Sequence, residues 1–258
     1  MQLAKHIAQG KLTYLSQDTN AVSVSENAYY RWLAFACDNG EPVIQSIMLK
    51  RKPYKLTLPH QTALMLPLLF IKPKSVVELG LGGGNIQRFI TNLSTSITMH
   101  SIEYNSTVID CFNEYFNPQN NQTHIIYNDS KQWLQDNKID YDWYICDIYQ
   151  QDIESYSNTV SQLEHLTAHV KPNTCLSINL PDANDSEVNL LLTILQQVSP
   201  HHEIVYFHIP NYLNIIVHLI PKQWQTYKKL KRNNHSYLPK NIFSRWKCFW
   251  QHGKNVPF

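Results

Sequence analysis

The densest chemistry in the sequence lies between residues 76 and 85. There Val76-Val77-Glu78-Leu79-Gly80-Leu81-Gly82-Gly83-Gly84-Asn85 runs a β-rich segment straight into a glycine cluster. Glycine has no Cβ, so Gly80, Gly82 and Gly84 let the backbone turn tightly and approach a small molecule at the mouth of the strand. Three carboxylates recur at comparable places further on: Glu103 after Thr98-Met-His-Ser-Ile, Asp129 after His124-Ile-Ile-Tyr127, and Asp147 after Trp143-Tyr-Ile-Cys146. If these runs are neighbouring parallel strands, Gly80, Glu103, Asp129 and Asp147 gather on one rim of the sheet. A carboxylate at 103 can accept hydrogen bonds from both hydroxyls of a ribose. One at 129 can take the amino group of an adenine, cap the helix that follows, or do both.

The type of nucleotide follows from position 85. A dinucleotide fingerprint needs a third glycine there, and the residue is Asn85. Glu78-x-Gly80-x-Gly82-x-Gly84 instead fits the acidic-residue-plus-glycines pattern of S-adenosylmethionine sites. Tyr141, Trp143, Tyr144 and Tyr149 crowd the fourth strand. Trp143 and Tyr144 read as core packing, whereas Tyr149, just past the strand end, is placed to wall a pocket that stacks on adenine or cages a cation.

Elements able to hold these residues are legible from 75 onward, where β-rich runs alternate with longer helical stretches, the pattern of βαβ units. Strands are expected at 75–79, 98–103, 124–127, 142–147 and 175–180, with an antiparallel pair at 203–209 and 214–220. Helices fall between them at 85–92, 106–116, 130–137 and 185–198. This predicts an α/β, Rossmann-like, seven-stranded, mostly parallel sheet with helices on both faces. Before residue 50, the runs 12–24, 29–37 and 43–48 read as a small antiparallel β-domain. The division expected is 1–55 for that domain, 56–220 for the nucleoside-binding domain, and 221–258 for a C-terminal extension.

Composition supports a globular chain, with 43% hydrophobic and 16% charged residues. The net charge of +2 hides an asymmetry: residues 221–258 carry nine Lys or Arg and no acid, so the rest is about −7. In that tail Phe243, Trp246 and Trp250 recur at helical spacing beside Arg245 and Lys247. The stripe could dock on the acidic body or a partner subunit, lie on an anionic membrane, or grip nucleic acid. Five scattered cysteines without a Cys-x-x-Cys pair read as reduced, mostly buried thiols, and the histidines show no metal-ligand spacing. No apolar run reaches the ~20 residues of a membrane span, and a cytoplasmic address is expected.

The ordered set of motifs resembles the spermidine synthase family, aminopropyltransferases on the class I S-adenosylmethionine-dependent methyltransferase fold with a small β-domain in front. Its marks are Val43-Ile44-Gln45, His60-Gln61, Glu78-Leu-Gly-Leu-Gly-Gly-Gly84, Ile102-Glu103, Val108-Ile109, Tyr115-Phe116, Asn128-Asp129-Ser130 and Tyr141-Asp142 through Asp147. The resemblance makes Gln45 and His60 neighbours of the methionine-derived portion, Glu103 the ribose ligand, Asp129 the adenine ligand and Asp147 the catalytic carboxylate; it also implies a homodimer. The chain departs from the family twice. The Asp that grips the donor's amino group is Asn85, and the second carboxylate of the Asp-x-x-Asp pair is Gln150. A site for polycationic polyamines gains from converging carboxylates, so their loss shifts the expectation toward methyl transfer from S-adenosylmethionine to a small-molecule acceptor, possibly an amine. Aminopropyl transfer from decarboxylated S-adenosylmethionine and a non-catalytic nucleoside-binding scaffold are the alternatives.

Overall fold

Apolar, β-branched runs such as Ser75-Val-Val-Glu-Leu79 can only sit where both faces of a strand are covered. The computed structural model describes residues 9–17, 21–36, 42–120, 123–148, 163–181, 184–224 and 237–255. Its front sheet is antiparallel, with β1 (Lys11–Leu15), β2 (Val22–Glu26), β3 (Tyr30–Phe35) and β4 (Val43–Leu49) in that order. The expected strand at 12–24 is therefore two. Ser16 N–H donates to Val22 O at 2.8 Å and Val22 N–H to Ser16 Oγ at 2.8 Å, closing a hairpin inside the run.

The main sheet contains β5 (Ser75–Leu79), β6 (Thr98–Glu103), β7 (His124–Tyr127), β8 (Trp143–Cys146), β9 (Cys175–Leu180), β10 (His202–His208), β11 (Ile215–Pro221) and β12 (Lys254–Asn255). The spatial order is β12-β10-β11-β9-β8-β5-β6-β7. Pairings from β9 through β7 are parallel; those of β11, β10 and β12 are antiparallel. The sheet thus has eight strands, the extra one being a two-residue strand that pairs Lys254 and Asn255 with Tyr206 and Val205. From β5 the chain fills one side with β6 and β7, then crosses to the other with β8 and β9. The crevice where the order reverses, outside the carboxyl ends of β5 and β8, is where such sheets bind ligands.

Helices cover both faces. On one, α1 (Pro59–Leu64), a 3₁₀ turn (Leu66–Leu69) and α2 (Asn85–Leu93) pack with Val76 and Ile216. On the other, α4 (Ser130–Asp136), a helical stretch at 163–168 and α5 (Asp185–Val198) pack with Val77 and Leu79. Between them in sequence, α3 (Ser106–Cys111) runs into a π turn (Phe112–Phe116) two residues before Pro118. The tail stripe belongs to the first face: α6 (Lys240–Trp250) buries Phe243 and Trp246 in that core. Trp246 lies 5.7 Å from the Phe89 ring, and Trp250 5.0 Å from Phe70 and 5.4 Å from Phe207. Lys240 and Arg245 stay exposed. Among the described residues no helix is long and apolar enough to cross a membrane. Cys111, Cys146 and Cys175 are buried and Cys248 is exposed.

One polar line runs through this core. Trp143 Nε1–H donates to Ser177 Oγ at 2.9 Å, Ser177 Oγ lies 2.8 Å from His218 Nδ1, and His218 Nε2 lies 3.2 Å from Ala63 O. A carbonyl only accepts, so Nε2 carries the proton, Nδ1 accepts from Ser177, and the imidazole is neutral. Burial holds its pKa at about 3. The unfolded chain takes up this proton below about pH 6.5 while the folded one does not, so this contribution to stability falls as pH drops from 6.5 toward 3. The expected loss from His218 between pH 7 and pH 5 is about 2 kcal/mol. His218→Phe, less stable at pH 7, should lose that share of the pH dependence in urea titrations at the two pH values; an unchanged slope would refute the neutral-histidine assignment.

Candidate functional site

The glycine loop adopts backbone that side chains rarely tolerate, with φ of +91° at Gly80, +51° at Gly82 and +64° at Gly84. Space is as restrictive as conformation. A Cβ on Gly80 would stand 2.5 Å from the Asp147 carbonyl oxygen, and one on Gly84 would strike the Phe112 ring. Leu81 N–H donates to Glu103 Oε2 at 3.0 Å, and Asn105 N–H to Glu103 Oε1 at 2.9 Å. Each oxygen of this buried carboxylate thus takes one backbone donor and keeps lone-pair capacity for a second. Asn128 N–H donates to Glu103 O at 3.0 Å, which sets Asp129 beside Glu103 at the next strand tip. Exposed Asp129 caps α4 by accepting from Gln132 N–H at 2.9 Å.

On the other side of the loop, Asp147 N–H donates to Leu79 O at 3.0 Å, and Asp147 Oδ1 accepts from Asn179 Nδ2 at 2.7 Å. His60, near the start of α1, feels the Asp147 charge, but burial is the stronger influence and lowers its pKa, so the ring is neutral near pH 7. Its Nδ1 is buried without a hydrogen-bond partner, as is Gln45 Nε2. Gln45 is the extra residue of a bulge in β4, since Ser46 pairs with Leu33 and Ile44 with Ala34. Such bulges re-aim side chains. Glu78 is buried beside β6 and accepts from Ser101 Oγ at 3.0 Å; burial first, then the Asp147 charge, raises its carboxyl well above the ordinary range.

Asn85 is spent on the scaffold. Its Nδ2 lies 2.8 Å from Ile47 O, 3.1 Å from Gln61 Oε1 and 3.2 Å from Thr57 Oγ1, and its Oδ1 accepts from Arg88 Nη2 at 2.5 Å. Arg88 is buried too, donating to Pro53 O at 2.8 Å, Phe116 O at 2.8 Å and Gly83 O. With Gly83 N–H donating to Ser46 Oγ at 2.9 Å, this knot fastens β4 and α1 onto the loop.

The structure brings Gln45, His60, Glu78, Gly80, Gly82, Gly84, Asn85, Glu103, Asp129 and Asp147 to the carboxyl ends of β5 to β8 and the elements facing them. Tyr149 lies outside the described residues. Sequence motifs did not single out Ser46, Arg88, Asn179 or Asn214. The one available signal was polarity inside a wholly buried strand, Ser177 and Asn179 in Cys175–Leu180. Among the described residues no group of three His, Cys, Asp or Glu side chains is arranged for a metal ion.

The sequence matches no protein-family model and no curated protein. Solved structures are similar in three dimensions. A probable spermidine synthase from Corynebacterium glutamicum superposes with a TM-score of 0.64 at 17% identity, over 81% of this chain and 78% of its own. Spermidine synthase from Thermotoga maritima gives 0.61 at 14% identity, over 93% and 88%. Human methyltransferase-like protein 13, solved with S-adenosylhomocysteine, gives 0.56 at 14%, over 76% and 91%. The chain has the spermidine synthase-like class I methyltransferase fold. In that fold the glycine loop and the Glu103 carboxylate stand at the switch-point crevice.

Placing an acid at position 85 tests the scaffold role. Asn85→Asp would turn a carboxylate oxygen toward Ile47 O and Gln61 Oε1, neither of which can donate; Gln61 Oε1 already accepts from Thr57 and Leu58 N–H. A destabilisation of about 1 to 3 kcal/mol by urea titration is expected. A gain in stability would show instead that pairing with Arg88 outweighs the lost bonds.

Proposed function

We propose that the chain is a group transferase that binds S-adenosylmethionine in the crevice between β5 and β8 and passes its methyl group to a small acceptor. The carrying observation is the Glu103 carboxylate, fixed by Leu81 N–H and Asn105 N–H so that both oxygens remain able to accept from a vicinal diol. The residues present fit such a nucleoside. The loop has no side chain at three successive alternate positions, and the buried, unpartnered Gln45 Nε2 and His60 Nδ1 are groups that a polar ligand would satisfy. Two of the similar structures support the ligand class, being complexes with S-adenosylhomocysteine and with the transition-state analogue AdoDATO.

Charge supports the carboxylated form of the donor. The Arg88 guanidinium, its pKa lowered by burial to about 9, is charged at pH 7. Among the described residues it has no carboxylate ion pair, and Glu78 is held toward its neutral form. The Arg88 charge beneath the loop at Asn85 favours a donor that keeps its α-carboxylate, while the Glu103 and Asp147 carboxylates stand at the strand tips. The bare ammonium of the decarboxylated donor would find the neutral, fully engaged Asn85 where the resemblance calls for an acid. The bound nucleoside supplies an electrophilic carbon on a sulfonium. Neutral His60 adds no competing cation, and the Asp147 carboxylate, at the tip of the adjoining strand, can accept a proton from the acceptor nitrogen. A specific observation supports aminopropyl transfer as the second reading: a spermidine synthase superposes over 93% of this chain.

Calorimetry with the two nucleosides separates these readings. S-adenosylmethionine should bind at least tenfold more tightly than its decarboxylated form, and Glu103→Ala should weaken binding by a factor of ten or more. The reverse preference would favour aminopropyl transfer. Tight binding with no label passing from the methyl group to any component of a cell extract would favour a non-catalytic scaffold, and binding of neither nucleoside would refute all three.

A further inference from the structure

A second line of side chains runs along the same rim, across β8, β9 and β11, where no sequence motif lies. Cys146 pairs with Ile178, so Asp147 and Asn179 are the next residues out on adjacent parallel strands. Ile216 pairs with Asn179 and Ile215 with Leu180, which puts Asn214 immediately before the third strand. Asn214 Nδ2 donates to Asn179 Oδ1 at 3.0 Å, and Asn179 Nδ2 donates to Asp147 Oδ1 at 2.7 Å. The amide orientations are dictated chemically: a carboxylate can only accept, so the Asn179 nitrogen must face Asp147 and its oxygen must face the Asn214 donor.

The line is anchored at both ends. Asn214 O accepts from Ile209 N–H at 3.1 Å, and Tyr212 N–H donates to Ile209 O at 3.1 Å, holding the turn before β11. At the other end the Asp147 carbonyl stands against Gly80 and its N–H is tied to Leu79. Asn179 itself is buried, with 8% of its surface exposed. Each amide polarises the next, and a buried neutral donor stabilises a carboxylate without adding charge. Among the described residues Asp147 Oδ2 accepts no hydrogen bond.

We propose that Asn179, backed by Asn214, is the positioning residue for Asp147, holding Oδ1 so that Oδ2 faces the transferring group. This rests on the reading of Asp147 as the carboxylate beside the donor's sulfonium. Sinefungin, which carries an amine-bearing carbon in place of the methyl sulfonium, reports on that oxygen; S-adenosylhomocysteine, with a neutral sulfur, does not.

The experiment measures both affinities by calorimetry, with circular dichroism as a folding control, for the wild-type protein, Asn179→Ala, Asn179→Ser and Asn214→Ala. The wild type should prefer sinefungin. That preference should fall about tenfold in Asn179→Ala and by less in Asn214→Ala. If Asn179→Ala does not fold, Asn179→Ser and Asn214→Ala carry the comparison. A purely structural role would weaken both ligands alike and leave the ratio unmoved, which would overturn the proposal. Failure of the wild type to bind either nucleoside would overturn the donor site along with it, so the two failures are distinct.

Discussion

The Glu103 carboxylate is the interaction on which the rest of the arrangement turns. Its two oxygens take backbone donors from the loop after β5 and from the entry to α3, and its own carbonyl takes Asn128 N–H from the next strand. One residue thus joins the glycine loop, the entry to α3 and the next strand tip. A buried carboxylate in a low-dielectric setting has to be met by donors, and here those donors are main-chain groups whose positions the strands fix. The same oxygens are left with capacity for outside partners, so the architecture that holds the loop also makes it receptive.

Much of this was legible in the sequence because it depended on local patterns. Ser75–Leu79, Thr98–Glu103, His124–Tyr127, Cys175–Leu180 and Asp185–Val198 fall where β-branched runs, caps and helical periodicity placed them. Asp129 is the cap that its position before Ser130 suggested, and Asn184 with Glu187 forms a capping box at the start of α5. What could not be read depended on contacts between distant segments. The bulge at Gln45 exists only in the register of β4 against β3, and the partner of Asn179 lies 32 residues away at Asp147. Strand β12 is two residues long, too short for any periodicity to announce it.

The knot around Asn85 shows how one side chain at the mouth of the loop can serve as scaffold. Asn85 opens α2 from the glycine loop; an amide can donate and accept at once, and here it does both, joining Ile47, Gln61 and Arg88. The front sheet is thereby fastened to the crevice through side chains from β4, α1 and α2. Any rearrangement of β4 would be felt at Gly83 and at the helix start together, which couples the two sheets mechanically.

Helix α6 has a consequence for how the molecule is made. Phe243 and Trp246 complete a hydrophobic layer in which Val76, Ile86 and Phe89 lie more than 150 residues earlier in the chain. During synthesis those earlier residues emerge well before their covering helix, so the growing chain carries an open apolar face until α6 has emerged. Final closure of that layer waits for residues 240–250, and until then the exposed face is a natural target for chaperones.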